Sequence, residues 1–305
     1  MEKCLRLKNK MTEKKFEKFH DKYYKLLLLI PVGLMIFCFI YLGVFYSVNN
    51  DFIYKDISLT GGTSVTIFES VDVVQLELAL SDKLEEMSTR EIYDLVTREQ
   101  KAIIVETKSG GDLTKEVLEE YLGYKLNSEN SSFEFTGSAL SESFYKQLLI
   151  AILVAFVFMA LVVFIIFRSF VPSMAVILSA MADILMTLVL VDLVGIKMST
   201  AGIVAVLMLI GYSVDTDILL TTRVLKRREG ELNERIFGAF KTGITMTLTS
   251  LVAVSVALFV VKSFSVTLTQ IFTVLVIGLV FDLFNTWITN VSILKWYILS
   301  KEKQR

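Results

Sequence analysis

Four aspartates, Asp183, Asp215, Asp217 and Asp282, fall inside long apolar runs of the chain, and Asp192 lies near the end of the run that holds Asp183. A charged Asp at the centre of a membrane helix costs about 2.5–3.5 kcal/mol on insertion scales, so such residues turn toward a bundle interior or a wet cavity. Asp183 sits close to the middle of its run and cannot reach either surface. At a rise of about 1.5 Å per residue, Asp215 lies roughly 7 Å to the cytoplasmic side of the middle of its own run. No Lys or Arg lies at comparable depth, Arg223 and Lys241 both being near the cytoplasmic ends. Two chemistries fit: a proton- or ion-binding group facing the interior, or a polar group that hydrogen-bonds a neighbouring helix and glues the bundle. Asp215 and Asp217 stand roughly 200° apart around a helix, so they cannot both face the same partner. Asp282, Asn285 and Thr289 share one side of a helix, as do Thr242, Thr245 and Thr249, and both stripes are candidate interior faces. For the threonines alone, plain helix packing is the simpler reading.

The elements that must position these residues are six apolar spans, at 26–48, 148–167, 171–194, 199–220, 244–261 and 268–289, the last running on toward Trp296 and Tyr297. About 20 apolar residues cross a bilayer as a helix. Hydrophobic residues make up 54% of the chain and charged residues 21%, which excludes an ordinary soluble enzyme. The first run is too long for a signal-peptide core and no small-residue cleavage site follows it, so it reads as a retained anchor.

Charge sets the orientation. Residues 1–25 carry nine Lys/Arg against four Asp/Glu, whereas 49–145 carry eight against nineteen. Arg168, Arg223, Lys226, Arg227, Arg228 and the basic residues of 295–305 lie on the side of the basic tail, and only Lys197 and Lys262 in the opposite loops. The positive-inside rule then places both termini in the cytoplasm and 49–145 outside a cell membrane. The expected organisation is a basic tail (1–25), a first span (26–48), an extracytoplasmic domain (49–145), a five-span block (146–299) and a short cytoplasmic end (300–305). Gly, Ser and Thr in spans three to six allow close helix approach, which predicts a compact bundle.

Within 49–145 the patterning is that of a soluble fold. Strands are expected at 64–69, 91–97, 102–107 and 132–136, and helices at 71–87, with Val74, Leu78 and Leu84 inward, and at 113–124. The order β-α-β-β-α-β is the ferredoxin-like split arrangement. The fold class is therefore an α-helical polytopic membrane protein with one α+β ferredoxin-like domain between its first two spans.

Other chemistry finds no support. The glycine pair in Thr60-Gly61-Gly62-Thr63 reads as a turn before a strand, since no Gly-Lys-Ser/Thr follows and no helix opens there. Gly110-Gly111 reads as a loop before a helix. His20 is the single histidine, the cysteines Cys4 and Cys38 are poorly placed to pair, and no metal-ligand spacing, nucleophile set or nucleotide motif occurs. No enzymatic activity, cofactor, metal or nucleic acid is expected.

Three motifs carry a resemblance. Asp56 followed by Thr60, Gly61, Gly62 and Thr63 resembles the element after the first helix of the SecD and SecF protein-export subunits. Gly211-Tyr-Ser-Val-Asp-Thr-Asp217, with Arg223 beyond it, resembles their fourth-helix signature, and Ala182-Asp183-Ile-Leu-Met-Thr their third-helix carboxylate element. With the one-plus-five topology, the chain resembles the SecF family in its archaeal form over nearly its whole length. That family is similar in architecture to one half of the proton-driven resistance-nodulation-division (RND) exporters. The resemblance implies a SecD-like partner, a SecYEG-type channel, membrane lipids around the spans, a translocating polypeptide as client and a possible coupling to proton flow. The chain departs from the bacterial pattern: Thr216 stands where the bacterial fourth-helix Asp falls, Asp215 matches the Asp of SecD, and the bacterial fifth-helix Arg falls near Thr245. Two other classes stay open. One is half of an RND-type exporter of small molecules or lipids. The other is an intramembrane protease, which would need Asp183 and Asp215 on facing helices.

Overall fold

The structure is a computed structural model describing residues 2–94, 97–226, 231–263 and 265–303. Helix α1 (Glu2–Asn49) runs unbroken from the basic segment into the first apolar span. A linker with a single helical turn, α2 (Ile57–Thr60), leads into the small domain. There follow β1 (Gly62–Ile67), α3 (Val73–Leu80), β2 (Ser88–Tyr93), β3 (Gln100–Thr107), α4 (Gly111–Leu122) and β4 (Ser131–Thr136). The bundle comprises α5 (Ser138–Phe167), α6 (Phe170–Leu193), α7 (Thr200–Lys226), α8 (Leu232–Val261) and α9 (Val266–Asn285). Helix α9 passes through one π-helical turn, Thr286–Asn290, into α10 (Val291–Glu302). Among the described residues, six helices are long and apolar enough to cross a membrane.

The strands form one antiparallel sheet in the order β2-β3-β1-β4, the order of the ferredoxin-like fold. Alternation places Val65, Ile67, Ile103 and Val105 on one face, where Leu76, Leu80 and Leu118 from α3 and α4 cover them. Each such side chain contributes about 1.5–3 kcal/mol when removed from water, which gives the domain a core of its own. Helix α3 differs from the sequence expectation. The Asp72 side chain caps it by accepting from the amides of Val74 and Gln75 at 3.0 and 3.3 Å, and it ends at Leu80 rather than 87. Its buried stripe is Leu76, Leu80 and then Leu84 beyond the helix, while Val74 (66% exposed) and Leu78 (77% exposed) face outward. Both stripes have helical spacing, so only packing against the sheet distinguishes them. Helix α5 also begins earlier than its apolar run, and its extra turns carry Tyr145 to the linker, where the hydroxyl donates to Asp51 Oδ1 at 2.6 Å.

In the bundle, α6 and α7 are the most enclosed spans, with more than half of their apolar windows buried, whereas α1, α5 and α8 present mostly exposed apolar surface. Small residues set the closest approaches. A Cβ on Gly278 of α9 would collide with Leu209 of α7, and one on Gly243 of α8 with Trp287 in the π turn. Without a water-driven force between helices in lipid, such close packing is what holds spans together.

Candidate functional site

Three buried carboxyl groups of the bundle gather where α6, α7 and α9 meet. Asp183, Asp217 and Asp282 are all 0% exposed. Asp183 is held from two helices: Ser213 of α7 donates to Oδ2 at 2.6 Å, and Asn285 of α9 donates through Nδ2 to Oδ1 at 2.7 Å. Asp217 Oδ1 accepts from Thr286 Oγ1 at 2.9 Å and from Asn290 Nδ2 at 2.7 Å. The Thr286 hydroxyl also lies 3.2 Å from Asp282 Oδ1, so it stands between two carboxyl groups. Thr289 donates to Asn285 Oδ1 at 3.1 Å and fixes the amide that serves Asp183.

Local sequence explains this convergence. Positions 282, 285, 286, 289 and 290 follow the spacing that keeps residues on one helix face. The π turn over Thr286–Asn290 holds this polar stretch, and such turns are often found at functional sites. Asp217 Oδ2, Asp282 Oδ2, Asn290 Oδ1 and Ser179 Oγ are buried there without a hydrogen-bond partner. Among the described residues no ion pair reaches any of the three carboxyl groups. The arrangement can therefore accept protons or hydrogen-bond donors, and no described cluster has the geometry of a metal site.

The candidate aspartates are thus divided. Asp183, Asp217 and Asp282 come together, whereas Asp215 lies on the exposed face of α7 with Gly211 and Tyr212 (41% exposed). That placement removes the facing pair, Asp183 with Asp215, that an aspartyl protease would require. The threonine stripe of the fifth span is not interior. Thr245 and Thr249 are exposed and donate to their own helix at Lys241 O (2.8 Å) and Thr245 O (2.7 Å). Thr247 is the buried threonine of that stretch, 3.5 Å from Thr216. Sequence reasoning missed Ser213, Thr286 and Asn290 as ligands of the carboxyl groups. The signal was present for the last two, which extend the 282–285–289 stripe.

The remaining motif residues are structural ties. Arg223 donates to Gly238 O at 2.6 Å and binds the end of α7 to α8. Gly61 and Gly62 have φ of 83° and 145°, which other residues resist, and Thr63 Oγ1 donates to Ser109 O at 2.8 Å. Gly211 has open space where a Cβ would stand, so no contact within this chain demands glycine there.

Residues 116–300 match the family described as protein export membrane protein SecD/SecF, C-terminal. The protein-export membrane protein SecF of Methanocaldococcus jannaschii is 40% identical over 284 residues, covering 91% of this chain and 96% of that protein. Its counterpart in Methanothermobacter thermautotrophicus is also 40% identical, covering 91% and 93%. The crystal structure of SecDF from Thermus thermophilus, a translocon-associated membrane protein, superposes with a TM-score of 0.72 at 20% identity. That match covers 90% of this chain, which spans 38% of the SecDF chain.

Proposed function

We propose, because the chain belongs to the SecF family of protein-export membrane proteins, that it joins a SecD-like subunit along the exposed face of α7 to assist a SecYEG-type channel. Its role in protein export is accessory, and it acts by binding and moving other proteins rather than by catalysis. The observation that carries the docking face is Asp215. An aspartate well inside a membrane helix and directed away from its own bundle would cost about 2.5–3.5 kcal/mol against lipid. Covering it with a second half-bundle relieves that cost. Val204, Met208, Gly211 and Tyr212 continue the same exposed strip, and the open space at Gly211 admits a close helix.

The enclosed carboxyl groups Asp183, Asp217 and Asp282 supply the second part of the proposal: a proton-binding site inside one half-bundle, whose occupancy changes how α6, α7 and α9 pack. The charge asymmetry of the chain supports an orientation with both termini in the cytoplasm and the ferredoxin-like domain outside.

The docking face is tested with Tyr212→Cys in cells that also carry single cysteines along the fourth span of the SecD-like subunit. A disulfide or short crosslink that forms there, with the complex still co-purifying, is expected. Crosslinking from Val157 on α5, which is equally exposed, with none from Tyr212→Cys would sink the assignment.

A further inference from the structure

The small domain is seated on the bundle through a narrow joint that the carboxylate site does not use. The linker after α1 pairs with the loop between α6 and α7: Met198 N donates to Tyr54 O at 2.6 Å, and Asp56 N donates to Met198 O at 2.9 Å. Thr200 N donates to Ser58 Oγ at 3.1 Å, and Tyr54 N to Asp192 Oδ1 at 3.2 Å. Gln270 of α9 holds the loop from below, donating to Lys197 O at 2.5 Å and accepting from Ser199 N at 3.2 Å. The bundle half of the joint is therefore braced. The sheet meets it through side chains.

Three charged residues make that contact, each from a different element. Arg90 of β2 lies 3.1 Å from Glu106 Oε2 of β3 and 3.8 Å from Asp56 Oδ2 of the linker. Asp56 uses its other oxygen to accept from Ile57 N at 2.6 Å, which starts the α2 turn. Asp56 and Glu106 are 7% and 8% exposed, so two carboxyl groups share one guanidinium in a largely dry site. Lys197, exposed on the α6–α7 loop, is the remaining cation whose charge reaches Glu106. A cavity of about 410 Å³ opens beside the joint, lined also by Asp51, Lys55, Glu86 and Lys108, and gives water a route to the pair.

We propose that Asp56, Glu106 and Arg90 form a proton-responsive latch that holds the ferredoxin-like domain down on the bundle when Glu106 carries a proton and releases it when Glu106 ionises. With the proton present, one carboxyl group can donate to the other and Arg90 neutralises the remaining charge. Without it, two buried carboxylates face each other across a single cation, and the nearest relief is for Asp56 to leave the pair, which draws the linker off the α6–α7 loop and breaks its bonds to Met198.

The electrostatics agree with this geometry. Burial, and then the charge of Asp56, push Glu106 from 4.5 up to about 7, although Arg90 and Lys197 pull the other way. A carboxyl group whose affinity for the proton is higher in the closed joint favours closure below its ordinary range. That preference is lost as pH rises from about 4.5 through about 7. If Glu106 regains its ordinary value on opening, the opening equilibrium rises on the order of 300-fold across that window.

The test is amide hydrogen exchange of the full chain in lipid nanodiscs between pH 5 and 8, corrected for intrinsic exchange. The reporting peptides cover 54–58 and 196–200, and β3 core amides serve as the folding control. Joint protection should fall with rising pH while the β3 core is unchanged. Glu106→Gln should abolish the step and stay protected throughout, and Arg90→Gln should move the midpoint to higher pH. Flat protection in the wild-type chain, an unaltered step in Glu106→Gln, or a midpoint unmoved in Arg90→Gln would each overturn the latch.

Discussion

Replacing Asp217 in two ways separates the packing role of the buried cluster from its titration. Asp217 Oδ1 accepts from Thr286 and Asn290, and Asn keeps an acceptor of the same size at that place. Asp217→Leu removes the acceptor. Thr286 then still has Asp282 Oδ1 at 3.2 Å, but the fully buried Asn290 Nδ2 loses the partner described for it. One orphaned buried donor costs about 1–3 kcal/mol in a soluble core. In membrane bundles interhelical hydrogen bonds average nearer ~0.6 kcal/mol, because the separated helices find other partners. The structure therefore sets the loss for Asp217→Leu at about 1–2 kcal/mol, concentrated at the π turn, with Asp217→Asn within about 0.5 kcal/mol of wild type. The assay is thermal unfolding of the purified complex with its SecD-like subunit, read alongside secretion of an exported reporter in cells. Asp217→Asn should assemble and melt like wild type while exporting more slowly. Asp217→Leu should melt lower and assemble poorly. Wild-type export by the Asn variant would remove the proton-binding role, and a Leu variant as stable as wild type would show that these hydrogen bonds do not hold the π turn.

Two further outcomes follow from other parts of the molecule. Gly62 has φ of 145°, and a Cβ there would collide with Thr107 O and Ile57. Gly62→Ala should therefore destabilise the start of β1 by roughly 1–3 kcal/mol, seen as faster proteolysis of the small domain with the bundle intact. For orientation, in a chain without its native cysteines, Ser81→Cys on the exposed end of α3 should react with a membrane-impermeant thiol reagent in intact cells. Lys303→Cys should react only after the membrane is opened, and the reverse pattern would invert the assigned sides.

Much of the architecture was legible because it rests on one-dimensional signals. A span is a run of apolar residues as long as the bilayer is thick, and a strand of a one-sided sheet alternates with period two. Six spans and a β-α-β-β-α-β domain could be read from those periods, and the strand order seen in the structure is the one that belongs to that arrangement. The stripe of Asp282, Asn285 and Thr289 was equally visible, because a helix keeps such spacing on one face whatever surrounds it.

What the tertiary structure alone decided was rotation and company. Helical geometry requires Asp215 and Asp217 to point to opposite sides, but which turns inward depends on how α7 rolls against α6 and α9. The answer came from Leu209 meeting Gly278 and from Ser213 reaching Asp183. For the same reason α3 buries Leu76 and Leu80 rather than Val74 and Leu78, and α8 turns Thr245 and Thr249 outward while burying Thr247. The latch was invisible in the sequence, since Asp56, Arg90 and Glu106 come from a linker and two strands and obey no spacing rule. Periodicity records which residues share a face of one element. Which faces meet is settled by side-chain shape and by the cost of leaving a buried charge or hydrogen-bonding group without a partner, and both act only once the elements are packed.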